Sequence, residues 1–176
     1  MIKSLGISLP ALALLAGVAA APDPARAAES HLYSAQSCTG YAAADRTSSS
    51  LLYYAVGVRN TGTATRELSC PMNLDSNDPI TQPPIDYRWM WAWVNDRSTS
   101  AGFNCQPAVK DNSGAFWYGL AQTTGAGTTS GTDQALVWLD PFNGGNPFPN
   151  MVIMSTMRCY LPGSSSDLIS INSTLQ

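Results

Sequence analysis

The run Tyr87-Arg88-Trp89-Met90-Trp91-Ala92-Trp93-Val94 is the most unusual segment of the sequence. Side chains alternate across an extended strand. Tyr87, Trp89, Trp91 and Trp93 therefore share one face and Met90, Ala92 and Val94 the other, with Arg88 on the aliphatic side by parity. The aliphatic set has the character of a core face. The aromatic set, repeating about every 6.6 Å, would make a flat ladder able to stack on sugar rings, bases or peptide side chains. Large open aromatic patches are uncommon on monomers. The expectation therefore leans to cover, with a loop or the region of Trp117 and Trp138 closing the ladder into a second small core. If it is open, Trp89, Trp91, Trp93 and Tyr87 are the candidate binding residues, with a glycan or cell-surface component as ligand.

Other clusters carry weaker chemistry. Asp75, Asn77 and Asp78 crowd one segment and could offer oxygens to Ca²⁺. They lack the glycine and distal glutamate of an EF-hand loop, so turn capping is the preferred account and no metal is expected. Asp140 to Pro149 carries two Phe rings and reads equally as a recognition loop or as a cover for a sheet end. A Ser-His-Asp or Cys-His device needs a positioned imidazole; the single histidine, His31, has no nucleophile motif to serve. A glycosidase needs two carboxylates across a cleft, and nothing in the sequence pairs Glu67 with an aspartate. Gly125-Ala126-Gly127 lacks the Lys-Ser/Thr of a phosphate loop, so no nucleotide cofactor is expected.

Cys38, Cys70, Cys105 and Cys159 are an even set, and the start of the chain explains where they would oxidise. Lys3 precedes a short apolar stretch from Leu5 to Ala21, interrupted by Pro10, and Ala25-Arg26-Ala27 offers small residues for a peptidase. Residues 1–27 read as a signal peptide and 28–176 as one domain, secreted or periplasmic, with no membrane span after cleavage. Metal–thiolate chemistry would need tighter spacing than the 32 positions between the nearest cysteines. Of the three possible pairings, Cys38–Cys70 with Cys105–Cys159 is favoured, because each bridge then ties one half of the chain to itself. The other pairings stay open at this point.

Residues 28–176 hold seven basic and eleven acidic side chains, with one lysine. Such a surface releases few counterions from a phosphate backbone, which argues against nucleic acid and against anionic membranes as partners. Charged residues make up 12% of the chain against an average near 25%, which excludes a coiled coil or charged helical bundle.

Short apolar or alternating runs separated by turn residues predict about nine strands. They fall near Leu32–Thr39, Leu51–Arg59, Thr65–Pro71, Tyr87–Asn95, Phe103–Pro107, Ala115–Thr123, Asp133–Leu139, Met151–Leu161 and Asp167–Ser173. Asn60-Thr61-Gly62 reads as a hairpin turn between the second and third, and Tyr41–Ser50 as a surface loop in preference to a helical turn. Regular strand spacing predicts an all-β fold, a two-layer antiparallel β-sandwich of jelly-roll or Ig-like type with two disulfides.

The chain also resembles a group of small secreted bacterial β-sandwich proteins with four cysteines. The resemblance rests on Cys38, the stretch Tyr54-Ala55-Val56-Gly57-Val58-Arg59-Asn60-Thr61, Cys70-Pro71, Val94-Asn95-Asp96-Arg97, Cys105 and Cys159-Tyr160-Leu161-Pro162. It implies a disulfide-stapled sandwich from an exported protein and brings no activity or site. The Trp run and the Asp140–Pro149 segment lie outside that pattern. Three readings follow: a non-catalytic binding module using the aromatic face, an Asp-dependent hydrolase, or a structural surface or matrix component.

Overall fold

A computed structural model of the chain describes residues 29–72, 87–125, 133–139, 141–142 and 152–175. The expected signal segment 1–27, the Asp75–Asp78 cluster and all of Asp140–Pro149 except Pro141 and Phe142 lie outside the described residues.

The described chain is all-β, with twelve strands where nine were expected. In order they are β1 (Glu29–Ser34), β2 (Thr39–Gly40), β3 (Leu51–Tyr54), β4 (Gly57–Asn60), β5 (Arg66–Met72) and β6 (Tyr87–Asn95). There follow β7 (Asn104–Asp111), β8 (Phe116–Tyr118), β9 (Gln122–Thr123), β10 (Gln134–Leu139), β11 (Val152–Leu161) and β12 (Ser166–Leu175). They form two six-stranded antiparallel sheets. The first runs β10-β6-β12-β4-β3, with β1 paired to the far end of β12; the second runs β2-β5-β11-β7-β8, with β9 beside β7.

Period-two alternation fills the space between the sheets. Val58, Met90, Ala92, Val94, Leu136, Trp138, Leu168 and Ile171 point inward from the first sheet. Leu68, Cys70, Met72, Cys105, Val109, Met157, Cys159 and Leu161 meet them from the second. Both disulfides lie in the second sheet and have the favoured pairing. Cys105 and Cys159 are directly opposed partners on β7 and β11, and Cys38, just before β2, reaches Cys70 on β5.

Four expectations are corrected. The predicted strand Leu51–Arg59 is a hairpin, β3 and β4, turning at Ala55-Val56. That pair lacks the Asn-Gly or Asp-Gly signal of a two-residue turn, so the fold back was not legible. Gly57 follows it because a Cβ there would stand 2.3 Å from the Leu168 carbonyl oxygen on β12. Asn60-Thr61-Gly62 is not a hairpin turn: β4 belongs to the first sheet and β5 to the second, so the chain changes layers there. The buried Asn60 side chain pins this corner, donating Nδ2 to the Ala64 and Leu161 carbonyls and accepting from the Gly62 amide. Tyr41–Ser50 contains one helical turn, α1 (Ala43–Arg46), whose N-cap Ala42 makes no side-chain capping bond. A start without Ser, Thr, Asp or Asn is why the loop was preferred to the helical turn the composition also allowed.

The predicted strand Ala115–Thr123 is likewise divided into β8 and β9. Gly119 still donates to the Pro107 carbonyl of β7, but Leu120 turns away to donate to that of Pro141, and pairing with β7 resumes at Gln122 with the register shifted by one residue.

Candidate functional site

Strand β6 follows the predicted Tyr87–Asn95 bounds and lies inside the first sheet, between β10 and β12. Met90, Ala92 and Val94 are fully buried, as their aliphatic character requires. Their alternation partners therefore face out: Trp89 is 54% and Trp93 41% exposed, and Trp91 is half-buried between them. The expected cover is overturned. Trp138 points into the core from β10, with Nε1 donating to the Leu120 carbonyl at 2.7 Å, and Trp117 belongs to β8 in the other sheet. The side chains of Tyr87 and Arg88 lie outside the described residues.

Register identifies what flanks the Trp row. On β10, Ala135, Val137 and Leu139 stand opposite Trp93, Trp91 and Trp89, and Leu139 is 73% exposed. On β12 the partners are polar, with Ser170 beside Trp93, Asn172 beside Trp91 and Thr174 beside Trp89. Ser30 of β1 extends this polar flank by donating its hydroxyl to Asn172 Oδ1 at 3.2 Å. The result is an aromatic strip with an aliphatic border on one side and hydroxyl and amide groups on the other.

The same parity carries the strip into charge. Asn95 follows Trp93 on the outer face and stands opposite Asp167 of β12, which in turn stands opposite Arg59 of β4. Asp167 is buried. Arg59 donates Nε to its Oδ1 at 2.7 Å and NH2 to its Oδ2 at 3.1 Å, and the Tyr54 hydroxyl donates to Oδ1 at 3.0 Å. That bidentate carboxylate pushes the Arg59 guanidinium above its usual value. Burial, and then Asp167, push the Tyr54 phenol up as well. Arg97, two residues past Asn95, folds back: Nε donates to Asn95 Oδ1 at 3.3 Å and NH2 lies 3.6 Å from Asp167 Oδ2. Singling out the Trp run missed Arg59, Arg97, Asp167 and Tyr54. Extending its parity two steps would have found Asn95 and Arg97, whereas Arg59 and Asp167 arrive through strand order.

The described carboxylates are committed elsewhere. Asp96, fully buried, accepts from the amides of Ser98 and Phe103 and the hydroxyls of Thr124 and Ser166. Asp111 accepts from the Ser113 amide and hydroxyl, the Ala115 amide and Trp117 Nε1. Asp45 holds Arg66, Glu67 holds Arg158, and Asp133 meets the Asn95 amide. These are loop closures and ion pairs. His31 lies on β1 with its ring stacked near that of Tyr33. Among the described residues, no three His, Cys, Asp or Glu side chains are grouped to hold a metal ion, and no helix is long and apolar enough to cross a membrane.

No protein-family model and no curated protein sequence matches the chain. Solved structures do match. A xylan-binding module, CBM15, superposes with a TM-score of 0.53 at 15% identity, covering 85% of this chain and 97% of that one. A dimeric latent PorU from Porphyromonas gingivalis matches with a TM-score of 0.37 at 14% identity, over 85% of this chain and 12% of that one. At these identities the likeness is one of fold: this chain is a two-sheet β-sandwich of the architecture found in that carbohydrate-binding module.

Proposed function

We propose that the chain is a secreted or periplasmic, non-catalytic module that binds a glycan through the outer face of the first sheet, with Trp89, Trp91 and Trp93 as its stacking residues. The observation that carries this reading is the exposure of the Trp row between an aliphatic and a polar border. Sugar rings present apolar C–H faces and hydroxyl edges, and a row of indoles beside Ser170, Asn172 and Thr174 offers a partner for each. The sandwich shared with a xylan-binding module supports the class of function at the level of fold. Two disulfides fit an oxidising compartment, and cleavage after Ala27 would deliver the chain there. Tyr87 is retained as a fourth candidate on the parity of β6.

A hydrolase would require two carboxylates facing one another in a cleft. The described ones are instead engaged by amides and guanidiniums, which favours binding over catalysis.

Affinity electrophoresis and intrinsic Trp fluorescence against soluble polysaccharides test the reading. Retardation by at least one glycan is expected, lost by tenfold or more in Trp91→Ala and in Trp93→Ala without a change in thermal midpoint. No retardation by any of a broad set of plant and microbial polysaccharides would exclude it.

A further inference from the structure

The Trp row does not end in neutral surface. At the spacing of alternate strand residues, about 6.6 Å, the position after Trp93 is Asn95, and here the Arg97 side chain lies back across the sheet. Its placement is fixed from both ends. The Arg97 amide donates to Ser166 Oγ at 3.0 Å, and Nε donates to Asn95 Oδ1. Asn95 is itself held by its Nδ2 donating to Asp133 Oδ1 at 3.2 Å.

The two guanidiniums near Asp167 are not equivalent. Arg59 takes both carboxylate oxygens with its fork, and Tyr54 adds a third donor. Arg97 stands 3.6 Å away, within ion-pair range but beyond a hydrogen bond, with its side chain 41% exposed. A planar guanidinium that is fixed, half-exposed and left without a carboxylate hydrogen bond is suited to bidentate recognition of an incoming carboxylate.

Resting on the glycan reading above, we infer that Arg97 recognises the carboxylate of a uronic acid on the sugar bound next beyond Trp93, so that the strip prefers uronate-bearing glycans to neutral ones. Asp133 and Asp167 balance the charge of Arg59 and Arg97, which keeps the effect local. The expected preference is therefore about fivefold, the scale of a partly exposed ion pair.

The test uses matched pairs differing only in the acid: glucuronoxylan with its carboxyl-reduced form, and polygalacturonate with its methyl ester. In low salt, wild-type protein is expected to bind the acidic member of at least one pair about fivefold more tightly, the advantage shrinking in high salt. Arg97→Gln should abolish that advantage while leaving neutral binding and the thermal midpoint unchanged, and Arg97→Lys should restore part of it. Equal binding of acid and neutral members by wild type, or equal weakening of both by Arg97→Gln, would overturn the inference while leaving the Trp-dependent reading intact. If neither pair binds and Trp91→Ala changes nothing, both fall together.

Discussion

The outer faces of the two sheets both carry aromatic rings, but they use them in opposite ways. On the second sheet the rings are occupied from within. The Arg158 guanidinium, paired with Glu67, lies 4.3 Å from the centre of the Tyr41 ring, and Lys110 Nζ sits 5.4 Å above Phe116. On the first sheet, among the described residues, no cation or second ring stands on Trp89, Trp91 or Trp93. The second sheet also holds both disulfides. The second layer is cross-linked covalently and carries cations on its rings. Among the described residues, the first confines its ionic contacts to the Arg59, Arg97 and Asp167 cluster, where Arg59 also stands over Tyr54, and keeps the faces of the Trp row available. The difference teaches that aromatic content alone does not mark a binding face; unoccupied ring faces do.

The largest expected effect tests the stapled side. For loops of 32 and 54 positions, the chain-entropy model gives about 3.5 to 4.5 kcal/mol per bridge, comparable with the net stability of a small domain. Denaturant titration with and without reductant should show a large fall in midpoint. An unchanged midpoint would break the assignment of stability to the second sheet.

Next comes a contrast between two tryptophans of paired strands. Trp138→Ala removes a ring that is 2% exposed and should cost about 3–5 kcal/mol. Trp93→Ala, on the outer face, should change stability by no more than about 0.5 kcal/mol while removing glycan retardation. Similar losses of stability from both would show that the strip is structural.

The smallest effect lies in the Asp167 cluster. The folded state holds the Tyr54 proton more tightly than the unfolded chain does, first through burial and then through Asp167. The stability this supplies is complete below pH about 10 and is lost as pH rises through the raised folded value. Tyr53, also pushed up by burial, adds to the same trend. Denaturation midpoints measured across that alkaline range should fall in wild type and fall less steeply in Tyr54→Phe. Parallel slopes would remove Tyr54 from the account.

Strand β6 and its two faces were legible because its apolar and aromatic residues alternate without interruption, and alternation is a local property of the chain. β5, β10 and β11 were legible for the same reason, to within a residue or two at each end. The β3–β4 hairpin was not, and α1 stood only as the less favoured alternative to a loop, since Ala55-Val56 and Ala42 lack the residues that mark turns and caps. The layer change at Asn60 escaped as well, because a turn sequence states that the chain bends and not which sheet receives it.

By itself, the sequence determined an all-β chain, an even set of cysteines, and a row of three tryptophans sharing one strand face. Only the tertiary structure decided that the row is open, that aliphatic β10 and polar β12 border it, and that Arg59 and Asp167, 108 positions apart, meet beside Arg97. The reason is physical. Alternation along one strand is fixed by backbone geometry, whereas the neighbours of that strand, and whether anything lies over it, follow from the order in which distant segments pair.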